Sequence, residues 1–377
     1  VLGFVLHVCF AEAPACACAF IIAAMSATNF TATASRDNNF DAIRILAASF
    51  VILSHSWALV KDLDEPIAVI TRACINGGAL GVWMFFVISG YLVSQSFVQR
   101  AHFGAFAAAR VLRIAPAYIA CIVIGVLIGA IVTTLPRGEY WRHPLTWDYV
   151  LNNLRFELRY DLPGVFESNP YPKSVNGSIW TLPAETMMYV GVAVLGVLTV
   201  LDQTRAKWGV LLLVGLLVLL SVSPALVTHI PYIATEMYTP AVRCFLLGVL
   251  AFLLRDKLPL HGGIVLLLLL LLPLTGQHRP PGTLLTCILI AYTTLWLAFH
   301  PRWTLRVPER IGDISYGLYV YAFPVQQFIV WTSPAISAWA VFVSSFFGTA
   351  LLAWLSWHGI EKRALRLKCH FKGLGSN

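Results

Sequence analysis

Charge is scarce in this chain. Only 12% of its 377 residues are Asp, Glu, Lys or Arg, against 58% hydrophobic residues and a mean hydropathy of +0.76. Soluble globular domains carry about a quarter charged residues, so the shortage excludes an ordinary soluble enzyme, a disordered chain and a collagen-like fibre. A cysteine framework is missing too. The eight cysteines show no CxxC or Cys/His metal spacing, and Cys121, Cys244 and Cys287 fall inside apolar stretches, so neither a disulfide scaffold nor a metal site is expected. No internal repeat stands out. The opening VLGFVLHVCFAEAPACACAFIIAA lacks both an initiator Met and a basic n-region, whereas Met25 begins a more ordinary polar leader. Residues 1–37 are therefore read as a leader outside the domain, with Met25 as the expected start.

What is present is apolar length. A spanning helix needs roughly 20 mostly apolar residues. Runs bounded by charged, Pro or Gly-rich connectors lie near residues 41–60, 77–97, 114–134, 184–201, 208–223, 240–254, 261–275, 283–299, 313–332 and 336–357. The sequence thus predicts an all-α integral membrane protein of about ten transmembrane helices. Its domain spans residues 38–365, with one long loop at about 135–183 and a basic tail at 366–377.

The net charge of +8 belongs to the connectors. One alternating set holds Arg100, Arg110, Arg113, Arg205, Lys207, Arg255, Lys257 and the basic C-terminal run, while the opposite short connectors hold only Lys61, Arg72 and Arg279. The positive-inside rule then places both termini in the cytoplasm and the long loop outside. A nucleic-acid footprint would cluster on one element, so no nucleic-acid partner is expected. The basic residues mark a membrane rim.

Ionisable residues inside apolar spans are functional candidates, because each costs about 2.5 to 3.5 kcal/mol at the bilayer centre. The first span carries Asp41, Arg44 and His55. The eleven-residue step from Arg44 to His55 turns through about 1100°, three turns plus about 20°, so both side chains share one face about 16 Å apart. Asp41, three residues before Arg44, can hold the guanidinium. An imidazole at that depth suits proton transfer, or hydrogen bonding between helices. In the second span, Gly81, Ser89 and Gly90 suit close helix packing. Arg110 and Arg113, one turn apart at the entrance of the third span, suit either lipid phosphates or a phosphorylated cosubstrate. The fourth span opens NGSIWTLPAETMMY, with Pro183 fitting a first turn and Glu185 entering the helix. That carboxylate can complement the helix start, orient an imidazole or contact a hydroxylated acceptor. Asn176, Gly177 and Ser178 also match a glycosylation sequon.

Taken together, these residues resemble the acyltransferase-3 family of polytopic membrane acyltransferases, which includes bacterial O-antigen and exopolysaccharide O-acetyltransferases. The resemblance covers about residues 38–365. The family's Arg, ten residues, then His is matched by Arg44 and His55, and its Phe-Phe-x-x-Ser-Gly by Phe85, Phe86, Ser89 and Gly90. Its Arg-x-x-Arg is matched by Arg110 and Arg113, and its Trp-Ser/Thr-Leu-x-x-Glu by Trp180, Thr181, Leu182 and Glu185. The late ISYGLYVYAFPVQQ, Ile314 to Gln327, and the closing WHGIEKR, Trp357 to Arg363, also look like family segments. One position departs: where many members carry a histidine two residues before the late proline, this chain has Ala322. No catalytic weight is placed on Tyr319 to Pro324.

The resemblance implies transfer of an acyl group, usually acetyl, from acetyl-CoA as cosubstrate to a hydroxyl of a surface carbohydrate or its lipid-linked precursor. It implies a multi-pass protein of the bacterial inner membrane. On this reading His55, Arg44 and Glu185 are catalytic, with His55 as general base. Arg110, Arg113 and Ser89 bind the acyl donor. Trp180 and Thr181 bind the acceptor, and no permanently bound cofactor or metal is expected. The rival reading is a transporter or proton-coupled permease that uses the Arg44/His55 stripe as an ion path. Paired halves with matching broken helices, common in transporters, are not visible in the sequence.

Overall fold

The computed structural model describes residues 30–31, 38–100, 103–222, 237–271, 284–300 and 303–369. Met25, Arg279 and nearly all of the leader lie outside these residues. Within them a helix lies in each expected apolar run, with residues 223, 272–275 and 283 of those runs outside the described residues. In chain order these are α1 (Phe40–Val60), a short α2 (Pro66–Ile70), α3 (Gly77–Arg100) and α4 (Phe103–Val132). There follow α5 (Arg137–Arg142), α6 (Pro144–Leu154), α7 (Thr181–Val197), α8 (Ala206–Val222) and α9 (Thr239–Leu253). The rest are α10 (Gly262–Leu271), α11 (Leu284–Ala298), α12 (Ser315–Thr332), α13 (Ala338–Ser356) and α14 (Lys362–Arg366). Five helical stretches are long and apolar enough to cross a membrane: Phe40–Val60, Gly77–Arg100, Phe103–Val132, Gly177–Val197 and Ala338–Arg366. Strand is confined, among the described residues, to Phe30–Thr31 paired antiparallel with Pro259–Leu260.

The third span begins earlier than its hydropathy suggests. Phe103 opens α4 eleven residues before the expected boundary, because FGAFAAAR is rich in alanine and forms helix readily despite being only mildly apolar. Arg110 and Arg113 consequently project from within a helix, about two turns past its start.

Helix α3 lies at the centre of the bundle, against α1, α9 and α7. Glycines set these distances. A Cβ at Gly81 would lie 2.3 Å from the Ala47 carbonyl oxygen of α1, and one at Gly90 2.1 Å from that of Phe245 in α9. Gly248 of α9 returns the contact, its Cβ position 2.2 Å from the Val87 oxygen. Such backbone approach leaves room for hydrogen alone. The antiparallel runs of α1 and α3 define two ends of the molecule. A basic end carries Phe40, Arg100 and the start of α12, and a loop end carries Val60, Gly77 and the long loop.

That loop is a pinned structure. Gln327 of α12, fully buried, donates to the carbonyl oxygens of Tyr171 (2.9 Å) and Ser174 (2.7 Å), and its own side-chain oxygen accepts from Asn169 (2.7 Å). Asn176 is also buried. Its amide nitrogen donates to the Val320 carbonyl (2.9 Å) and its oxygen accepts from the Ser178 backbone N–H (2.9 Å). The sequon there is a structural clamp, with its amide already used.

Candidate functional site

Two sets of cavities meet inside the bundle. The first, at the basic end, is a narrow pocket of about 90 Å³ among α1, α3, α4, α7 and α12, whose polar lining includes Arg44, Ser89, Arg110, Arg113, Glu185 and Tyr189. Arg44 donates to Asp41 (3.2 Å), its helical neighbour at i−3, and lies 3.6 Å from Asp313 just before α12. Arg113 is more firmly held, donating to Asp313 at 2.7 Å and to Glu361 at 3.4 Å. Glu361 is 1% exposed and accepts a further bond from Ser356 (2.9 Å). Both arginines therefore have carboxylate partners. Arg110 has none among the described residues: it donates to the Ser96 hydroxyl (3.3 Å), its Nε is buried without a partner, and its guanidinium lies 5.7 Å from the Tyr189 ring centre.

Glu185 faces this same pocket. Its Oε1 accepts from Ser89 (3.4 Å) and from the Tyr189 hydroxyl, one turn along α7. Pro183 precedes it in the first turn of α7, where a missing N–H leaves no helical bond unmade. The structure thus brings Glu185 to Ser89 and the arginine pocket. It does not bring Glu185 to His55.

His55 lines the second set, two larger cavities of about 510 and 810 Å³ at the loop end. Trp180 and Met237 line both of them as well. The imidazole packs edge-on against Phe323 with ring centres 5.2 Å apart, and its Nδ1 is buried with no hydrogen-bond partner. Trp180, tilted against Tyr238 at 5.3 Å, is an aromatic wall, and Tyr171, Lys173 and Asp161 of the long loop border the larger cavity. These volumes fall in the range of roughly 300 to 1,000 Å³ typical of small-molecule sites.

A thin septum separates the two regions. Val82 and Tyr319 line both the arginine pocket and the smaller His55 cavity. The Tyr319 hydroxyl donates to the Ser178 carbonyl (2.7 Å) and shares a 2.8 Å bond with Thr181, so the ring is fixed across the passage. Thr181 accordingly lies at the septum and Trp180 on its loop-end side. Of the residues singled out from sequence, Arg44, Ser89, Arg110, Arg113, Thr181 and Glu185 surround one pocket, and His55 and Trp180 surround the other.

Sequence reasoning missed Asp313, Glu361, Tyr189 and Tyr319. Asp313 carried one signal, an acid immediately before an apolar run. Tyr319 and Phe323 sit in the segment given no catalytic weight, yet both line cavities. Ala322, where the resemblance leads one to expect histidine, is wholly buried.

Residues 37–358 match the family described as an acyltransferase domain, of the acyltransferase-3 type. An O-acetyl transferase of Shigella phage Sf6 is 29% identical over 343 residues, covering 88% of this chain and 96% of the relative. Nodulation protein 10 of Rhizobium leguminosarum bv. viciae is 26% identical over 370 residues, covering 88% and 94%. No solved structure matches the chain. With a match that runs through both cavity sets and nearly the whole helical bundle, the chain belongs to the acyltransferase-3 family.

Proposed function

We propose that this protein is a multi-pass membrane O-acyltransferase of the bacterial inner membrane. It moves acetyl from acetyl-CoA to a hydroxyl of a surface carbohydrate or its lipid-linked precursor. The observation that carries this reading is the pair of cavity sets meeting at Val82 and Tyr319, one lined by arginines and the other by His55 and aromatic side chains. Anionic donor and hydroxylated acceptor need that separation of chemistries. Acyl transfer by the family, and the O-acetyl transferase named among the relatives, support it.

In this mechanism the donor's phosphates rest at the basic end against Arg110, whose guanidinium has hydrogen-bonding capacity to spare. The pantetheine arm enters the narrow pocket beside Ser89 and Glu185 and carries the thioester past Tyr319. The arm has to follow the stripe from Arg44 to His55, about 16 Å along α1. The acceptor enters from the loop end, its sugar ring against Trp180. His55 removes the hydroxyl proton as the oxygen attacks the thioester carbonyl; the tetrahedral intermediate collapses, the C–S bond breaks, and the imidazolium returns the proton to the leaving thiolate. Arg113 and Arg44, tied to Asp313, hold the walls of the donor pocket.

The test measures transfer of labelled acetyl from acetyl-CoA into cell-envelope glycans by cells expressing wild type or His55→Ala. Wild type is expected to transfer label. Loss of a general base costs roughly 100- to 10,000-fold, so His55→Ala should fall to background. Full activity in His55→Ala removes His55 from the mechanism, and no transfer by wild type across a range of acceptors refutes the assigned donor and acceptor.

A further inference from the structure

The arginine pocket is too small for a nucleotide. At about 90 Å³ it lies well below the roughly 300 to 1,000 Å³ of pockets that engulf such ligands, so a CoA-sized donor must leave its nucleotide outside the mouth. Cations stand there. Arg100, the last residue of α3, donates to the Ser96 hydroxyl and to the Ser96 carbonyl (3.2 Å), and Arg110 of α4 donates to that same hydroxyl at 3.3 Å. Two guanidiniums from different helices thus converge on one neutral oxygen. Lys368 lies two residues past α14, and α14 packs on α4, the helix that carries Arg110. Burial and the nearby charges of Arg110, Arg100 and Arg113 push its ammonium down to about 8. None of these three cations forms an ion pair among the described residues, whereas Arg44 and Arg113 each have carboxylate partners. Asp313, already bonded to Arg113, is the acid that acts on Lys368, so three cations without an ion pair of their own repel one another unless an anion joins them.

We propose that Arg100 and Lys368 form a subsite for a phosphate monoester, the ribose 3′-phosphate of the CoA donor, adjoining the diphosphate position at Arg110. This rests on the donor reading above and extends it. Coenzyme A carries its diphosphate directly on the pantetheine arm and its phosphate monoester one ribose further out. The order fits the lining: Arg110 borders the arm pocket, whereas Arg100, joined to it through Ser96, and Lys368 do not. The Ser96 hydroxyl holds both arginines in place, so a dianion gains charge-assisted bonds from groups already ordered.

The test uses full-length protein in detergent and measures binding of CoA and 3′-dephospho-CoA by titration calorimetry. Wild type should bind CoA at least about tenfold more tightly, as expected for charge-assisted bonds to a dianion. Arg100→Gln and Lys368→Gln should each reduce CoA affinity towards that of dephospho-CoA while leaving dephospho-CoA binding unchanged, which also shows that the variants are folded. Equal affinities in wild type overturn the subsite alone. So do variants that keep the full preference. Binding of neither compound refutes the donor reading itself. The same titration in nanodiscs of phosphatidylglycerol and of phosphatidylcholine separates the two phosphate sources: a preference erased only by the anionic lipid assigns these cations to lipid headgroups and overturns the proposal, and a preference kept in both supports it.

Discussion

Arg110 and Arg113 stand three residues apart on α4, and their surroundings give them different work. Arg113 compensates Glu361, a carboxylate that is 1% exposed, and removing one member of such a pair leaves the other charge buried alone. Arg113→Ala is therefore expected to destabilise the protein by about 3 kcal/mol, read as a clear fall in thermal midpoint in detergent. A double variant, Arg113→Leu with Glu361→Leu, should recover the part of that loss due to Glu361, while Asp313 keeps only the Arg44 cation, at 3.6 Å. Arg110 gives up its bond to Ser96 and its contacts with the Phe106 and Tyr189 rings but leaves no carboxylate unpaired, so Arg110→Ala should lower the midpoint far less than Arg113→Ala and weaken CoA binding instead. A stable Arg113→Ala protein would contradict this division. The same contrast shows what a sequence reveals at this scale. The Asp41–Arg44 pair is legible because i,i+3 spacing forces the two together on a helix. Asp313 and Glu361 reach Arg113 from 200 and 248 residues away, and no local rule brings them there.

Elements were easier to read than their contacts. Apolar length placed a helix in each run, because the composition leaves few alternatives to membrane-type segments, but among the described residues only five stretches are long and apolar enough to cross a membrane, and the start of α4 was misplaced where alanine extends the helix without adding much hydropathy. It also read residues 135–183 as one long loop without helices, whereas α5 and α6 lie within it and the buried amides of Asn176 and Gln327 fasten it to the bundle. The small residues of α3 were read as packing sites, and Gly90 permits a direct test. Its Cβ position faces backbone, which cannot rotate away, so Gly90→Ala must push α3 from α9 and should cost about 1 to 3 kcal/mol. Gly215 of α8 has open space at its Cβ position. Gly215→Ala should be neutral or stabilising by up to about 1 kcal/mol. Equal thermal midpoints for the two variants would refute the close-approach account. The loop fastening makes a separate prediction. Gln327→Leu removes three side-chain bonds that hold Asn169, Tyr171 and Ser174 beside the larger His55 cavity. Acceptor KM should rise several-fold while donor KM stays constant, and a change confined to donor KM would show that the loop does not shape the acceptor side.

For the whole molecule, the separation of a basic pocket from a His55 cavity has functional meaning only with a defined orientation. Lys and Arg asymmetry predicts a cytoplasmic basic end, and a CoA donor requires it, since CoA is a cytoplasmic metabolite. Two native cysteines can report on this. Cys74 is exposed in the connector between α1 and α3 at the loop end, and Cys369 is exposed after α14 at the basic end, while Cys121, Cys244 and Cys287 are buried. A membrane-impermeant maleimide applied to intact spheroplasts should modify Cys74 and leave Cys369 untouched, with peptide mass spectrometry assigning the sites. Permeabilisation should then expose Cys369. The reverse pattern would put Arg100, Arg110 and Lys368 on the outer side, away from any CoA pool. The basic pocket would then have to serve an anionic acceptor, and the direction of acyl transfer through the Val82 and Tyr319 septum would be inverted. Labelling of both cysteines in intact cells would leave the septum with no membrane to cross, so the two-sided mechanism stands or falls on this one comparison.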